Sequence, residues 1–539
     1  MRGVASTIIA IVPPRRWVAL TISCLAFAGI THFIANVNPS RGNDDAFISY
    51  RYSRNLVDGH GLVFNPGERV EGYSNFLYVL LIAPGFLIVE PDSIYGYALA
   101  LNIGFGILAI AAFWHYCNLL LPRGALPAAA ALAISPALTA WAASGMETPL
   151  VLLIQIVIWG AATRVAEGRA GRDLVALCVA IGFSVLARAD GFVMPAIAIA
   201  YLIHRGKRRG AAWAGTVFVA TAVGYFSWRY AYYGYPLPNT YYAKVDGPLL
   251  SRLSSAWSLM QRMFFARGLF VPIIPLALLL LGTALAYAQR WLGDPLKARH
   301  GIPSELFFSM GWLAYWFYIG GDIYLDRFLV ILLPLGIVAL LRIASADLPR
   351  ITRRASVAAA AILLCAIVAP LAGVEYIQWH LTGSGTDGWM LIGKHLRQRH
   401  PGSVIAVDAA GKIPYYSNLR TIDIFGLNDV HIAHQPVTGA FRLGHSKTDT
   451  EYVLGREPDC IVTYISDDLK LTTLNLSAEE YRRRGYEVTH LASMWSGKIW
   501  NVARRTDEEI GSLVRQGFDC AIVAKKEAEE PAREKGIGE

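Results

Sequence analysis

Up to about residue 375 the chain alternates long apolar runs with short polar links; beyond that point the pattern changes. Apolar segments lie at 17–35, 74–89, 95–120, 125–143, 148–166, 173–188, 190–204, 211–231, 268–289, 303–320, 324–343 and 355–375. An α-helix needs about 20 apolar residues to cross a bilayer. The pattern therefore predicts a polytopic α-helical membrane domain over 1–375. The first run follows Arg2, Arg15 and Arg16, and no small-residue cleavage site stands out after it. It reads as a retained first span rather than a signal peptide. After Gly373 no run is long enough to span. Short strand-like pieces at 404–407, 421–423, 460–464, 485–488 and 500–503 predict a mixed α/β domain over 376–524. The charged run 525–539 reads as a disordered tail.

The polar links set an orientation. Those at 164–172, 204–209, 290–299 and 342–354 are basic and are assigned to the cytoplasm by the positive-inside rule. The links at 144–148, 188–191, 232–267 and 320–326 then face outward. Three apolar segments separate Asp45 from Ser144, and three crossings would put these two polar sites on opposite faces. One of the three is therefore expected to be re-entrant, or two to form a broken helix. Pro84, Gly85, Pro122, Pro127 and Pro136 supply the breaks. About eleven crossings remain, with the N-terminus inside and the C-terminal domain outside.

Composition agrees: 54% of residues are hydrophobic and 17% charged, against about 25% charged in soluble domains. The net charge of +9 sits mostly in the short basic links, which argues against nucleic acid as a partner. Cys24, Cys117, Cys178, Cys365, Cys460 and Cys520 show no metal-site spacing. Cys460 and Cys520 are open to pairing if their region is extracytoplasmic.

Candidate chemistry concentrates in the polar stretch 43–75. Asn43 or Asp44 can cap a helix over 46–57. Ile48, Tyr52 and Leu56 share one of its faces, which would suit a helix lying along the membrane surface. Ionisable groups at a membrane boundary are costly unless they serve a function or are paired. A carboxylate at Asp44 or Asp45 suits a general base acting on an incoming hydroxyl, against the plainer reading of a helix cap and a solvated charge. Glu71 and Tyr73 open the next segment and suit a sugar hydroxyl, or a cation shared with a lipid phosphate; the alternative is an interfacial anchor. Glu147 in SGMETP has the same two readings. Arg188 and Asp190 either neutralise each other or serve a site. Asn239, Tyr241, Tyr242 and Lys244 suit sugar stacking and phosphate binding, and Asp322, Asp326 and Arg327 offer a phosphate partner or a salt bridge. Asp408, Lys412, Tyr415, Tyr416, Asp423, His431, His434 and His445 form a polar series without metal-site spacing, read as turn residues or as a carbohydrate-facing loop. Asp408 and His445 are its acceptor-binding candidates.

The stretch DDAFISYRYSRNLVDGHGLVFNPGERVEGYSNFL resembles the first outer loop of the GT-C superfamily of polyprenyl-phosphate-sugar-dependent glycosyltransferases. It is most similar to the terminal β-(1→2) arabinofuranosyltransferases of the mycobacterial cell wall and their wider bacterial relatives. SGMETPL, RADGF, PNTYYAK and GGDIYLDRFL resemble later outer-loop motifs of that family, in the same order. IAVDAAGKIPYYS, IDIFGLND and LGHSK resemble its C-terminal domain, so the likeness runs from about residue 44 to 464. The resemblance implies an enzyme of the bacterial inner membrane with its active site on the outer face. It would move a sugar, arabinofuranose by the nearest likeness, from a polyprenyl-phosphate donor to a hydroxyl of a cell-envelope glycan, with inversion. Asp44 matches the family's general base and Asp45 its acidic neighbour. Glu71 matches a residue near the donor phosphate or a metal in related enzymes. A divalent cation is thus open, and no other cofactor is implied. Arg51, Glu71, Tyr73, Arg188, Asp190, Asn239, Tyr242, Lys244, Asp322 and Arg327 are the donor-phosphate or substrate-binding candidates. The chain is shorter than the mycobacterial enzymes after its strand-rich part, and its tail after Trp500 has no counterpart, which leaves the acceptor open. The competing function is a lipid-linked sugar transporter or flippase. It would need midplane ionisable residues and paired helix breaks, and the sequence displays neither.

Overall fold

The computed structural model describes residues 14–37, 41–245, 248–265, 302–324, 327–345, 388–437, 444, 446–493 and 498–525. The predicted segments at 268–289 and 355–375 and the tail 525–539, apart from its first residue, lie outside the described residues. The membrane part contains α1 (Pro14–Val37), α2 (Asp44–Val57), α3 (Phe76–Ile82), α4 (Ile94–Leu120), α5 (Ala125–Ala133), α6 (Pro136–Ala143) and α7 (Thr148–Ala166). It continues with α8 (Gly171–Ala187), α9 (Val193–His204), α10 (Arg208–Tyr233), α11 (Asn239–Val245), α12 (Leu249–Phe265), α13 (Ser304–Ile319) and α14 (Leu332–Ser345).

Among the described residues, four helical stretches are long and apolar enough to cross a membrane: Arg15–Val37, Pro91–Leu120, Thr148–Ala166 and Arg208–Tyr233. Helices α5 and α6 meet at a 46° bend and would make a fifth span if counted together. Pro136 begins α6 and has no N–H to continue the helix from α5. The 74–89 segment is also irregular, because α3 gives way to a 3₁₀ turn over Ala83–Leu87 that contains Pro84. Two of the three segments between Asp45 and Ser144 are therefore broken. Helix α7 is central and buried on nearly every side, whereas α10 leaves Trp213, Val219, Val223 and Trp228 uncovered. Glycines set the tightest crossings: a methyl on Gly160 would lie 2.2 Å from the Tyr116 ring, and one on Gly106 2.2 Å from Phe27.

The C-terminal part comprises α15 (Gly388–Arg399), β1 (Val404–Val407), α16 (Lys412–Ser417), β2 (Arg420–Asp423), α17 (Val430–Ala433), β3 (Cys460–Tyr464), β4 (Tyr486–Ala492), β5 (Ile499–Asn501) and β6 (Cys520–Lys525), with further short helices. The sheet order is β2-β1-β3-β6-β4-β5. The first three strands run parallel and the others pair antiparallel. Alternation along β1 sends Ala406 to one core, with Ile422 and Ile461, and Ile405 and Val407 to the other, with Ile392 and Ile522. Cys460 lies opposite Ala524 and Cys520 opposite Tyr464. The two cysteines are thus four register positions apart, roughly 13 Å along the ladder, and both thiols are free. The pairing left open by the sequence does not form.

Helix α2 lies between the two parts, and ten of its fourteen residues are buried. Tyr50 donates to the carbonyl of Gly145 (2.7 Å) on one side. On the other, Tyr52 Oη meets Asn428 Oδ1 (3.1 Å). This corrects the expectation of a helix resting on the membrane surface.

Candidate active site

Asn43 caps α2 through a bond from the Asp45 amide (3.0 Å) and also accepts the Tyr324 hydroxyl (2.9 Å). The acidic pair that follows divides its work. Asp44 is buried, and its two oxygens accept the backbone N–H groups of Gly411 (3.0 Å) and Lys412 (2.7 Å). It thus caps the start of α16 from across the domain junction. Only glycine fits at 411, since a methyl there would lie 1.9 Å from the Asp44 carbonyl oxygen. Burial pushes the Asp44 carboxyl up to about 7; the Asp45 charge adds to the rise and the two amides oppose it. The Asp45 carboxylate is partly exposed and stands 3.8 Å from Lys244 Nζ.

Helix ends gather a second set of charges beside this pair. Glu147 precedes α7 and Arg188 follows α8. Arg188 bonds Asp190 (2.9 Å) and Glu147 (3.2 Å) and lies 4.1 Å over the Phe328 ring. Glu147 also accepts from Asn75 (2.8 Å), which in turn accepts from Ser49 of α2 (2.9 Å). Arg327 makes a two-pronged pair with Asp322 (2.8 and 3.3 Å) and lies within electrostatic reach of Glu147 and Asp45. A cavity of about 10 Å³, room for one water, is lined by Gln155, Arg188, Asp190, Trp312 and Arg327. Asp326 is outside the described residues. Asp45, Arg188, Asp190, Lys244, Asp322 and Arg327 therefore converge from four separate stretches of chain, a clustering their spacing in sequence does not reveal.

The remaining candidates are held in structural contacts. Arg51 donates to the carbonyls of Phe64 (2.7 Å), Leu419 (2.7 Å) and Pro414 and to Asn65 (3.2 Å), so its guanidinium fastens α2 to the C-terminal domain. Asn239 gives its amide to the carbonyls of Gly426 (2.7 Å), Leu427 (3.1 Å) and Asp429 (3.1 Å). The Tyr73 hydroxyl meets that of Tyr233 (3.0 Å) in a buried contact. Glu71 pairs with Arg229 (2.9 Å), and burial still lifts its carboxyl to about 7. Asp408 accepts from Thr463 and Thr473 hydroxyls and the Tyr464 amide; desolvation raises it to about 6. Tyr242 stacks on His434, with ring centroids 4.3 Å apart. His445 lies outside the described residues. Among the described residues, no three His, Cys, Asp or Glu side chains gather as a metal site. The sequence offered Asn43 as the cap of this helix, which the structure bears out, but the contributions of Tyr324 and Gly411 were missed. Only the glycine after Asp408-Ala-Ala carried a signal, as a small residue beside a strand end.

A family model described as a domain of unknown function (DUF8728) matches residues 377–510. Over 353 residues the chain is 28% identical to the terminal β-(1→2)-arabinofuranosyltransferase of Mycobacterium tuberculosis, covering 58% of this chain and 54% of that protein. The chain thus spans about half the length of the curated relative it matches. Among solved structures, ArnT from Cupriavidus metallidurans bound to undecaprenyl phosphate superposes with a TM-score of 0.54 at 12% identity, covering 94% of this chain and 99% of that one. The apo state of the same protein gives 0.52 at 13% identity, with the same coverage. The chain therefore has the fold of ArnT and is a sequence relative of a mycobacterial arabinofuranosyltransferase.

Proposed function

We propose that the chain is a membrane glycosyltransferase of the bacterial inner membrane, acting on its outer face. It takes a sugar, arabinofuranose by its likeness to the mycobacterial relative, from a polyprenyl-phosphate donor and places it on a hydroxyl of a cell-envelope glycan. The observation that carries this reading is the Asp45–Lys244 pair beside Arg327 at the junction of the two domains. Asp45 is the carboxylate of the acidic pair left available to substrate, so the role of general base passes to it from Asp44. It takes the proton of the acceptor hydroxyl as that oxygen bonds to the anomeric carbon. The carbon–oxygen bond to phosphate breaks on the opposite side, and the lipid phosphate departs with the electron pair, inverting the centre. Lys244 and Arg327 stabilise the charge that develops on the phosphate. Asp44 positions this machinery by holding α16 against α2.

The test uses purified protein in lipid nanodiscs with polyprenyl-phosphate arabinofuranose, other polyprenyl-phosphate sugars and short arabinan acceptors. Wild-type transfer is expected, and Asp45→Asn should lower it by at least about 100-fold with the melting temperature retained. Near-normal transfer by Asp45→Asn would remove it as the base. No transfer from any donor, with lipid-linked sugar moved between leaflets instead, would replace the enzyme by a flippase.

A further inference from the structure

An aromatic surface lies next to this pair and takes no part in the chemistry above. Helix α10 ends at Gly234 in the left-handed conformation (φ 81°), and the chain turns outward through Tyr235. Asn239 then grips the loop 426–429, which leads directly into α17. That clamp sets Tyr242 of α11 against His434 at the end of α17, with ring centroids 4.3 Å apart and planes inclined by 32°. Tyr235 packs 5.0 Å from His434 and 6.3 Å from Tyr242. Tyr241 continues the surface edge-on to Tyr242 at 5.9 Å. Tyr235 is 38% and Tyr241 37% exposed, and His434 is exposed as well. His434 Nδ1 donates to the Val430 carbonyl (2.8 Å), which fixes Nε2 as an acceptor in the neutral ring.

Tyr241 comes three residues before Lys244, the partner of Asp45, and residues three apart share a helix face. Through Tyr241, which meets Tyr242 edge-on, the aromatic surface therefore adjoins the Asp45 carboxylate across α11. Open aromatic faces with polar tips suit the C–H faces and hydroxyls of sugar rings. An apolar protein partner would leave the His434 acceptor without its hydrogen bond.

We propose that Tyr235, Tyr242 and His434 form the acceptor-glycan subsite. They stack the sugar residues behind the terminal one, so that the terminal hydroxyl is presented to Asp45. This rests on the glycosyltransferase reading. Tyr242→Ala and His434→Ala should each raise the acceptor KM about tenfold, the size of one lost aromatic contact, with the donor KM unmoved. Tyr242→Phe, which restores the ring, should recover most of the loss. The effect should shrink for a one-residue acceptor too short to reach the surface. Where the wild type transfers, an unchanged acceptor KM in both alanine variants would overturn the subsite and leave the enzyme reading intact, as would equal rises in acceptor and donor KM. Saturation-transfer NMR of short arabinan oligosaccharides with the full chain in nanodiscs, without donor, tests the surface even if no transfer occurs. Saturation lost in Tyr242→Ala supports it; no saturation of any oligosaccharide by wild type rules it out.

Discussion

At the scale of single residues, the site turns on how two adjacent carboxylates are treated. Asp44 and Asp45 are indistinguishable as a sequence pattern, and both were legible as candidates. Their difference comes from two amides 367 and 368 residues further on, and no local signal encodes so distant a partner. The structure also gives Asp44 a pH signature. Its carboxyl titrates near 7 in the folded chain and near 3.9 when unfolded. The folded state therefore binds the extra proton between these values. The contribution to stability is fully present below about pH 4 and is lost as pH rises through 7. Asp408 and Asp423, both raised to about 6 by burial, act in the same direction over a lower window. Melting temperature measured from pH 5 to pH 8 should fall, and Asp44→Asn should flatten the decline above pH 6. An unaltered slope in that variant would mean that Asp44 does not take up the proton.

At the scale of elements, helix content and five of the strands were legible because apolar runs and strand-like pieces are local properties. Strand β6 was not. Its apolar core is short and borders the charged tail, so it gives no separate strand signal within the domain, yet it pairs with both β3 and β4. The amphipathic reading of α2 located its apolar face but misjudged the polar one. Ser49, Arg51, Ser53 and Asn55 are buried against carbonyls and side chains that take the place of water, and a hydropathy pattern cannot tell these surroundings apart. Arg51 matters most among them, since a planar fork reaches four acceptors from one position. Arg51→Lys should therefore destabilise by about 3 kcal/mol, and denaturant unfolding should place it close to Arg51→Ala. A lysine variant as stable as wild type would show that charge alone suffices there.

At the scale of the whole molecule, the two-part organisation was visible as a change in composition near residue 375. The breaks at Pro84 and Pro136 were legible too, but the number of crossings was not, because a broken segment has the same apolar content as a straight one. The proposed orientation places the start of α10 in the cytoplasm and the C-terminal domain outside. Single cysteines replacing Arg208 and Arg483, both exposed, should react with an impermeant maleimide from opposite faces of the membrane. Labelling of both from one face would reverse the assignment of one part.

The clamp between Asp44 and Gly411-Lys412 also has a meaning for biogenesis. Helix α2 leaves the ribosome near the start of synthesis, whereas its capping partner emerges 367 residues later, roughly 20–70 s at ordinary translation rates. Until then the acidic pair has no lid and the Tyr242–His434 contact cannot exist. On the proposed function, a chain already inserted in the bilayer would stay inactive until synthesis has passed residue 434.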